Sequence, residues 1–315
     1  MTVDVRGQVT ESLGPEHDIN GTNVRTVTWS LRISDYEEWS AKGYYNVSAD
    51  TYTLINPVSI NKRSTDGTTV DQITAVRGSS VESSGALTSS DTFPQTSWVS
   101  WTQALRNTFL QPLSTRVYHT IPSSGSGSLG TNYTETSYDR DEMDRQNMVE
   151  SAAGTITRTV FNSRGLPVSQ WIGTNDNGAT DSDPTGGGAS GNNMVVLTET
   201  EYDGGSEGGN GLPTEVTTKV NSTSGDDRVT QLEYDWRDRL TNTITSDGTH
   251  EFQQKPTLDN LGRTTAVKVY RNDSGVLKLI SQSESFYDDR GRTFQSKTYA
   301  VSSAGVAGNN LTTDQ

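Results

Sequence analysis

Tyr287-Asp-Asp-Arg-Gly-Arg292 has three relatives of equal length in the same chain: Phe161-Asn-Ser-Arg-Gly-Leu166, Tyr234-Asp-Trp-Arg-Asp-Arg239 and Leu258-Asp-Asn-Leu-Gly-Arg263. In each, a bulky residue precedes Asp or Asn, and Gly or Asp follows three positions later. Asp or Asn opening a type I turn accepts hydrogen bonds from the turn's own N–H groups, and Gly adopts the left-handed conformation that follows without a Cβ penalty. A type I turn closed in this way is a three-residue hairpin loop with a G1 bulge. The six residues therefore predict antiparallel hairpins in which Asp235 faces Arg239, Asp259 faces Arg263 and Asp288 faces Arg292. Asn162 with Gly165, and the glycines Gly262 and Gly291, occupy the same two turn positions. Asp238 replaces Gly in one copy, since Asp visits the left-handed region more readily than most residues.

Working outward, Asp141-Glu-Met-Asp-Arg145 keeps the turn and the Arg, while its aromatic, Tyr138, lies two residues further upstream and so on the same strand face. Tyr202-Asp203 leads into a glycine-rich expansion ending at Gly211-Leu212, a longer loop of the same kind. A second set of turns begins with Ser or Asn: Ser151-Ala-Ala-Gly154, Ser222-Thr-Ser-Gly225, Asn272-Asp-Ser-Gly275 and Ser302-Ser-Ala-Gly305, with Ser246-Asp-Gly248 as a shorter relative. The two sets alternate along the chain, leaving strands of roughly seven to twelve residues that run up and down. Tyr-Asp turns are expected along one edge and Ser/Asn turns along the other. A β-sandwich of regular hairpins has the same turn spacing and stays open as an alternative.

Composition agrees with a thin sheet. Leu, Ile, Val and Phe sum to 59 of 315 residues, while Thr and Ser number 45 and 37. So few large apolar residues cannot fill a thick core, and β-branched Thr suits a pleated, half-buried surface. Lys and Arg number 25 against 39 acids, a formal charge of -14, which argues against a basic nucleic-acid binder. With no cysteine the chain has neither disulfides nor thiolate metal sites. Met1 to Gly14 is polar, without the apolar core of a signal peptide, and no run has the length of a membrane span. Any export is expected to depend on sequence outside this chain.

Residues 1–117 are β-rich but carry no clear repeat, and 118–315 hold the hairpin repeats, with a glycine-rich insert at about 173–193. Thr26 to Ile33 and Gly43 to Val47 read as strands, with turns at Asn20-Gly and Asp66-Gly. Ser34 to Gly43 reads as a short helix, Ser34 and Glu37 forming a capping box and Gly43 following its end. Ser79 to Ser90 reads as a long hairpin loop. The stretch around Trp98, Trp101 and Phe109 fits strand and helix equally. The Ser/Gly-rich Pro122 to Thr131 fits a domain boundary or a loop inside one sheet.

The Tyr-Asp-x-x-Gly-Arg unit resembles the YD repeat of the bacterial Rhs (rearrangement hot spot) family, whose relatives include toxin-complex shell subunits and teneurins. The resemblance covers about Tyr118 to the C terminus, and Gly154-Thr-Ile-Thr-Arg-Thr-Val-Phe-Asn-Ser-Arg-Gly-Leu166 looks like a typical stretch. It implies an all-β fold of repeated antiparallel β-hairpins forming a continuous spiralling sheet, part of a hollow shell that often encloses a C-terminal toxin. It further implies an extracellular or cell-surface location. The implied partners are other YD-repeat sheet of the same or an adjoining chain, an enclosed toxin or a cell-surface glycan. Toxin-releasing members carry an Asp-Pro-x-Gly-Leu cleavage motif. Here the only Asp-Pro, in Asp183-Pro-Thr-Gly186, lies mid-chain without the Leu, so the resemblance implies a shell fragment lacking core and toxin domain.

Candidate chemistry is sparse. In the insert, Asp181, Asp183 and Thr185 precede Gly186 with the alternate spacing of a calcium loop, although Asn192 stands where that loop has Glu; otherwise the insert reads as a solvated flexible loop. His17, His119 and His250 are far apart and suggest no triad. No catalytic residue or cofactor is assigned. The expected function is a noncatalytic structural wall for encapsulation or cell contact. The alternatives are a carbohydrate-binding adhesin using Trp98, Trp101, Trp171 and Trp236, and a polysaccharide hydrolase built on paired carboxylates. Valine at Gly262 or Gly291 is expected to destabilise more than a change near Gly187, on the reading that only the hairpin glycines are left-handed.

Overall fold

The structure, a computed structural model, describes residues 2–3, 6–206, 208–221 and 223–314. The described residues contain 22 β-strands and three single 3₁₀ turns. They fall into two compact units, Met1–Thr155 and Ile156–Gln315. The fold is all-β, built from repeated antiparallel hairpins.

Unit 1 comprises β1 (Thr2–Val3), β2 (Val9–Ile19), β3 (Thr22–Ser34), β4 (Glu37–Asn46), β5 (Thr51–Arg63), β6 (Thr69–Ala75), β7 (Glu82–Ser84), β8 (Trp98–Arg106), β9 (Pro112–Tyr118), β10 (Tyr133–Arg140) and β11 (Gln146–Glu150). Each of β1 to β5 pairs with the next in antiparallel fashion. The second half of β5 pairs with β6 and its first half with the short β7, while β8 pairs with β6. β9 pairs with β8 and β10 with β9, so the Ser/Gly-rich stretch 122–131 is a connection within this sheet.

The core lies in unit 1. Val27, Trp29, Trp39, Leu54, Val58, Ile60, Ile73 and Trp101 pack on one face of the sheet. Leu87, from the segment between β6 and β8, completes it, and Phe93 packs edge-on against Trp39 with ring centres 5.0 Å apart. Residues 79–90 therefore contain a strand and cover the core. Arg77 holds this segment in place, its guanidinium donating to the carbonyls of Ser84, Gly85 and Ala86 at 3.0, 2.7 and 2.8 Å and pairing with Asp91 at 3.2 Å.

The helix expected at Ser34 to Gly43 is absent; the segment is the turn of the β3–β4 hairpin and the first part of its second strand, with Ser34 opposite Glu37. Trp39, Ala41 and Gly43 are buried, whereas Glu38 and Lys42 are exposed, which is the two-residue period of a strand. Gly43 is there because a Cβ would lie 2.2 Å from the Thr53 carbonyl oxygen and 2.6 Å from the Trp29 ring. The glycine marks close packing inside a strand and not the end of a helix.

Unit 2 is a plain meander: β12 (Ile156–Phe161), β13 (Pro167–Gly173), β14 (Val195–Tyr202), β15 (Pro213–Thr218), β16 (Arg228–Tyr234), β17 (Leu240–Ser246), β18 (Glu251–Leu258), β19 (Thr264–Asp273), β20 (Val276–Tyr287), β21 (Thr293–Val301) and β22 (Ala307–Asp314). Every strand pairs antiparallel with its successor. Among its described residues only Ile156, Val160 and Met194 are buried hydrophobics. Leu, Ile, Val and Phe are as frequent here as in unit 1, 30 of 160 residues against 29 of 155, but few of them are buried, so the sheet must be held by something other than a packed interior.

Candidate functional site along the turn edge

The tight Tyr-Asp turns share one geometry. In the copy at Asp235, the Asp235 N–H donates to the Arg239 carbonyl at 2.9 Å and the Asp238 N–H donates back to the Asp235 carbonyl at 3.0 Å. Asp235 Oδ1 accepts from the N–H groups of Arg237 and Arg239, and Oδ2 accepts from Arg239 Nε at 2.8 Å. The same pattern recurs at Asp141 with Arg145, Asp259 with Arg263 and Asp288 with Arg292. Asn162 caps its turn in the same way, its Oδ1 accepting from the N–H groups of Arg164 and Leu166. Asp238, Gly165, Gly262 and Gly291 have φ of 61°, 81°, 81° and 80°, the left-handed residue each turn requires.

The signature aromatic does more than mark the turn. Tyr202 donates its phenol to the Pro167 carbonyl at 3.0 Å, Tyr234 to Pro213 at 3.0 Å and Tyr287 to Thr264 at 2.8 Å. Each acceptor is the first residue of the preceding strand, so each hairpin is tied to the strand before it. Burial pushes the phenols of Tyr202 and Tyr234 above their ordinary pKa.

The arginines reach the other way. Arg164 Nη1 pairs with Asp203 at 2.7 Å, Arg239 Nη1 donates to the Asp259 carbonyl at 2.9 Å, and Arg237 Nη1 donates to the Asn260 carbonyl at 3.1 Å. Asn210 donates to Asp238, and in unit 1 Gln111 donates to Asp144. Successive turns on this edge are therefore linked by polar side chains. The long loop after Tyr202 keeps the same role, because Asp203 accepts both Arg164 and the N–H of Gly211.

Hydrogen bonding from Arg239 holds the Asp235 carboxyl at about 2. Arg164 depresses Asp203, while bonds from Arg263 and Arg292 depress Asp259 and Asp288. A carboxyl whose folded pKa lies below its unfolded value of about 3.9 contributes stability that is complete above that value and is lost as pH falls towards the folded one. Stability monitored by circular dichroism should fall between about pH 4 and pH 2. Asp235→Asn, which keeps the Oδ1 acceptor as Asn162 does, should show a shallower fall; an identical pH profile would remove the ion pair from the account.

The second turn set is mixed. Ser151 and Ser302 form the expected turns, closed by Gly154 and Gly305 with φ of 77° and 80°. Asn272 does not, because Asp273 pairs with Val276 and the loop is the two-residue Ser274-Gly275. Ser222 lies outside the described residues. Sequence reading missed Asn107, whose Oδ1 accepts from Phe109 and Gln111, because the left-handed position is Leu110 and not Gly.

The insert is solvated, with 10 of its residues 175–193 exposed, yet it is tied by its own hydrogen bonds. Pro184 is fully buried, and Asn175, Asn177, Asn192 and Asn193 bridge its backbone. Asp183 is committed to the local turn, accepting from Thr185 N–H and Oγ and from Gly187 N–H. Among the described residues there is no group of three or more His, Cys, Asp or Glu that could hold a metal, and of the calcium candidates Asp181, Asp183 and Thr185 the last two are bonded to each other. Gly187 has φ of 67°, which corrects the expectation that only the hairpin glycines are left-handed.

The four tryptophans have different surroundings. Trp101 is buried and stacked on Tyr118, and Trp98 packs edge-on against Trp101. Trp171 lines a cleft in unit 2, and Trp236 is 83 % exposed with the Arg237 guanidinium over its ring. No helix among the described residues is long and apolar enough to cross a membrane.

No family model matches the chain, and no curated protein matches it. Among solved structures, TcdB2-TccC3-TEV is similar at 11 % identity over 99 % of this chain and 19 % of that one, with a TM-score of 0.39. TcdB2-TccC3-Cdc42 is similar at 12 % identity over 98 % and 19 %, with a TM-score of 0.38. The Photorhabdus luminescens Tc holotoxin pore is similar at 11 % identity over 98 % and 18 %, with a TM-score of 0.37. The chain spans about a fifth of the length of those chains. At these scores the likeness carries neither activity nor partner to this chain.

Proposed function

We propose that the chain is a noncatalytic segment of YD-repeat wall from an Rhs-like secreted or surface protein, whose work is encapsulation or cell contact. The observation that supports this reading is the use of the signature residues. Tyr202, Tyr234 and Tyr287 tie hairpins backwards, and Arg164 and Arg239 tie them forwards, so the repeat's conspicuous side chains are spent on neighbouring sheet. A binding or catalytic surface would keep such groups free for ligand. A wall needs them turned inward on its own repeats, because each hairpin buries too little to stand alone.

A wall segment is completed by more sheet of the same kind, from the same or an adjoining chain. Among the described residues β22 pairs only with β21, and it presents Leu311 at 74 % exposure. An unprotected edge strand templates further pairing. The chain should therefore self-associate with concentration in sedimentation velocity, and Leu311→Lys should shift it towards monomer, since edge lysine opposes pairing. A wild-type chain that stays monomeric throughout would count against the wall.

A further inference from the structure

On the edge of unit 2 opposite the Tyr-Asp turns, two consecutive connections abandon tight-turn chemistry. Residues 174–194 join β13 to β14, and 219–227 join β15 to β16. A cleft of about 560 Å³ lies at these connections, lined by Trp171, Met194, Val196, Lys219, Val220 and Asp227. That size is within the range of about 300 to 1,000 Å³ common for small-ligand sites.

Its polar end is unbalanced. The Asp227 side chain is 5 % exposed; Oδ2 receives Lys219 Nζ at 3.1 Å, while Oδ1 is buried and accepts no hydrogen bond from the described residues. Lys219 Nζ also meets Glu199 at 2.8 Å, so one ammonium lies between two carboxylates and the group carries a formal charge of minus one. A buried carboxylate oxygen without a donor is costly, and a donor that also carries positive charge relieves both deficits. The Trp171 Nε1 donor is committed to Ser169 Oγ at 2.8 Å, so the ring contributes aromatic surface, which favours cations. Met194, Val196 and Val220 supply aliphatic walls for an apolar stem.

We propose that this cleft binds a guanidinium-type cation on an apolar stem, with its N–H groups donating to Asp227 Oδ1 and its plane against Trp171. A neutral polyol would supply a donor but leave the charge uncompensated. The cation comes either from a free small molecule or from an arginine side chain of a polypeptide, and the cleft chemistry is common to both.

The test is calorimetric titration of the full chain at low salt with butylguanidinium, butanol, methyl glucoside and a blocked arginine peptide. Butylguanidinium should bind saturably, and butanol and methyl glucoside at least about tenfold more weakly. Asp227→Asn should weaken the cation about tenfold or more. Val220→Trp, placed at a rim position that is 53 % exposed, should also block binding and leave the melting temperature unchanged. This second variant keeps the test decisive if the first fails to fold. A peptide tighter than butylguanidinium assigns the cation to a polypeptide, and the reverse assigns it to a small molecule; either supports the site. No saturation by butylguanidinium or the peptide below about 10 mM, equal binding in Val220→Trp, or preference for methyl glucoside would overturn it.

Discussion

Trp101→Ala should remove about 3–5 kcal/mol from unit 1 and lower its melting temperature by roughly 10 °C. The residue is 5 % exposed, and its ring lies on Tyr118 with centres 3.7 Å apart and planes 8° from parallel. Its Nε1 donates to Asp71 Oδ1 at 2.8 Å, an oxygen that also accepts Gln103. Truncation therefore opens a cavity and strips a half-buried carboxylate of one donor, two costs that add. Calorimetry of the variant measures both together. A loss under about 1 kcal/mol would mean that the surrounding strands close over the site, contrary to the packing described. The same contacts explain why this tryptophan is unsuited to stacking on sugar: both its neighbours and its polar atom are already engaged.

Arg77→Ala is the second large effect, about 3 kcal/mol or more. The guanidinium is 17 % exposed and its partner Asp91 19 % exposed, so the pair is largely shielded. Removing it leaves the carbonyls of Ser84, Gly85 and Ala86 without their donor and frees the segment that brings Leu87 into the core. Melting should fall, and limited proteolysis should begin cutting between residues 79 and 91. Arg77→Lys should rescue little, because a single ammonium cannot reproduce a planar fork shared among several carbonyls. Full rescue by lysine, or a protease-resistant segment in the alanine variant, would show that the clamp is not what holds the loop.

The turns were readable because their chemistry is local: Asp235 and Arg239 are four residues apart, and the capping oxygen, the left-handed residue and the ion pair all fall within that span. The tyrosine bonds were not readable. Tyr287 reaches Thr264, 23 residues away, through a carbonyl that any residue type offers, so no side-chain identity announces the contact. The false helix at Ser34 arose because a capping-box pattern is short and local, whereas Trp39, Ala41 and Gly43 alternate only in relation to the core they face. The glycine there was read as a helix end, although its reason is the Trp29 ring above it. The cleft at Asp227 had no sequence signal, since Trp171 is 48 residues before Lys219 and 56 before Asp227 and meets them only when the meander folds.

Because the ties of Tyr234 and Arg239 extend only to adjacent hairpins, unit 2 has no residue on which all the others depend. Its length is accordingly a free variable. A two-strand repeat inserted or excised at a Tyr-Asp turn would alter only the junctions beside it, whereas the same change in unit 1 would tear a shared interior. Such a strip can change size through tandem duplication without redesign, and its radius of action would then be set by repeat number, independently of any one hairpin's sequence.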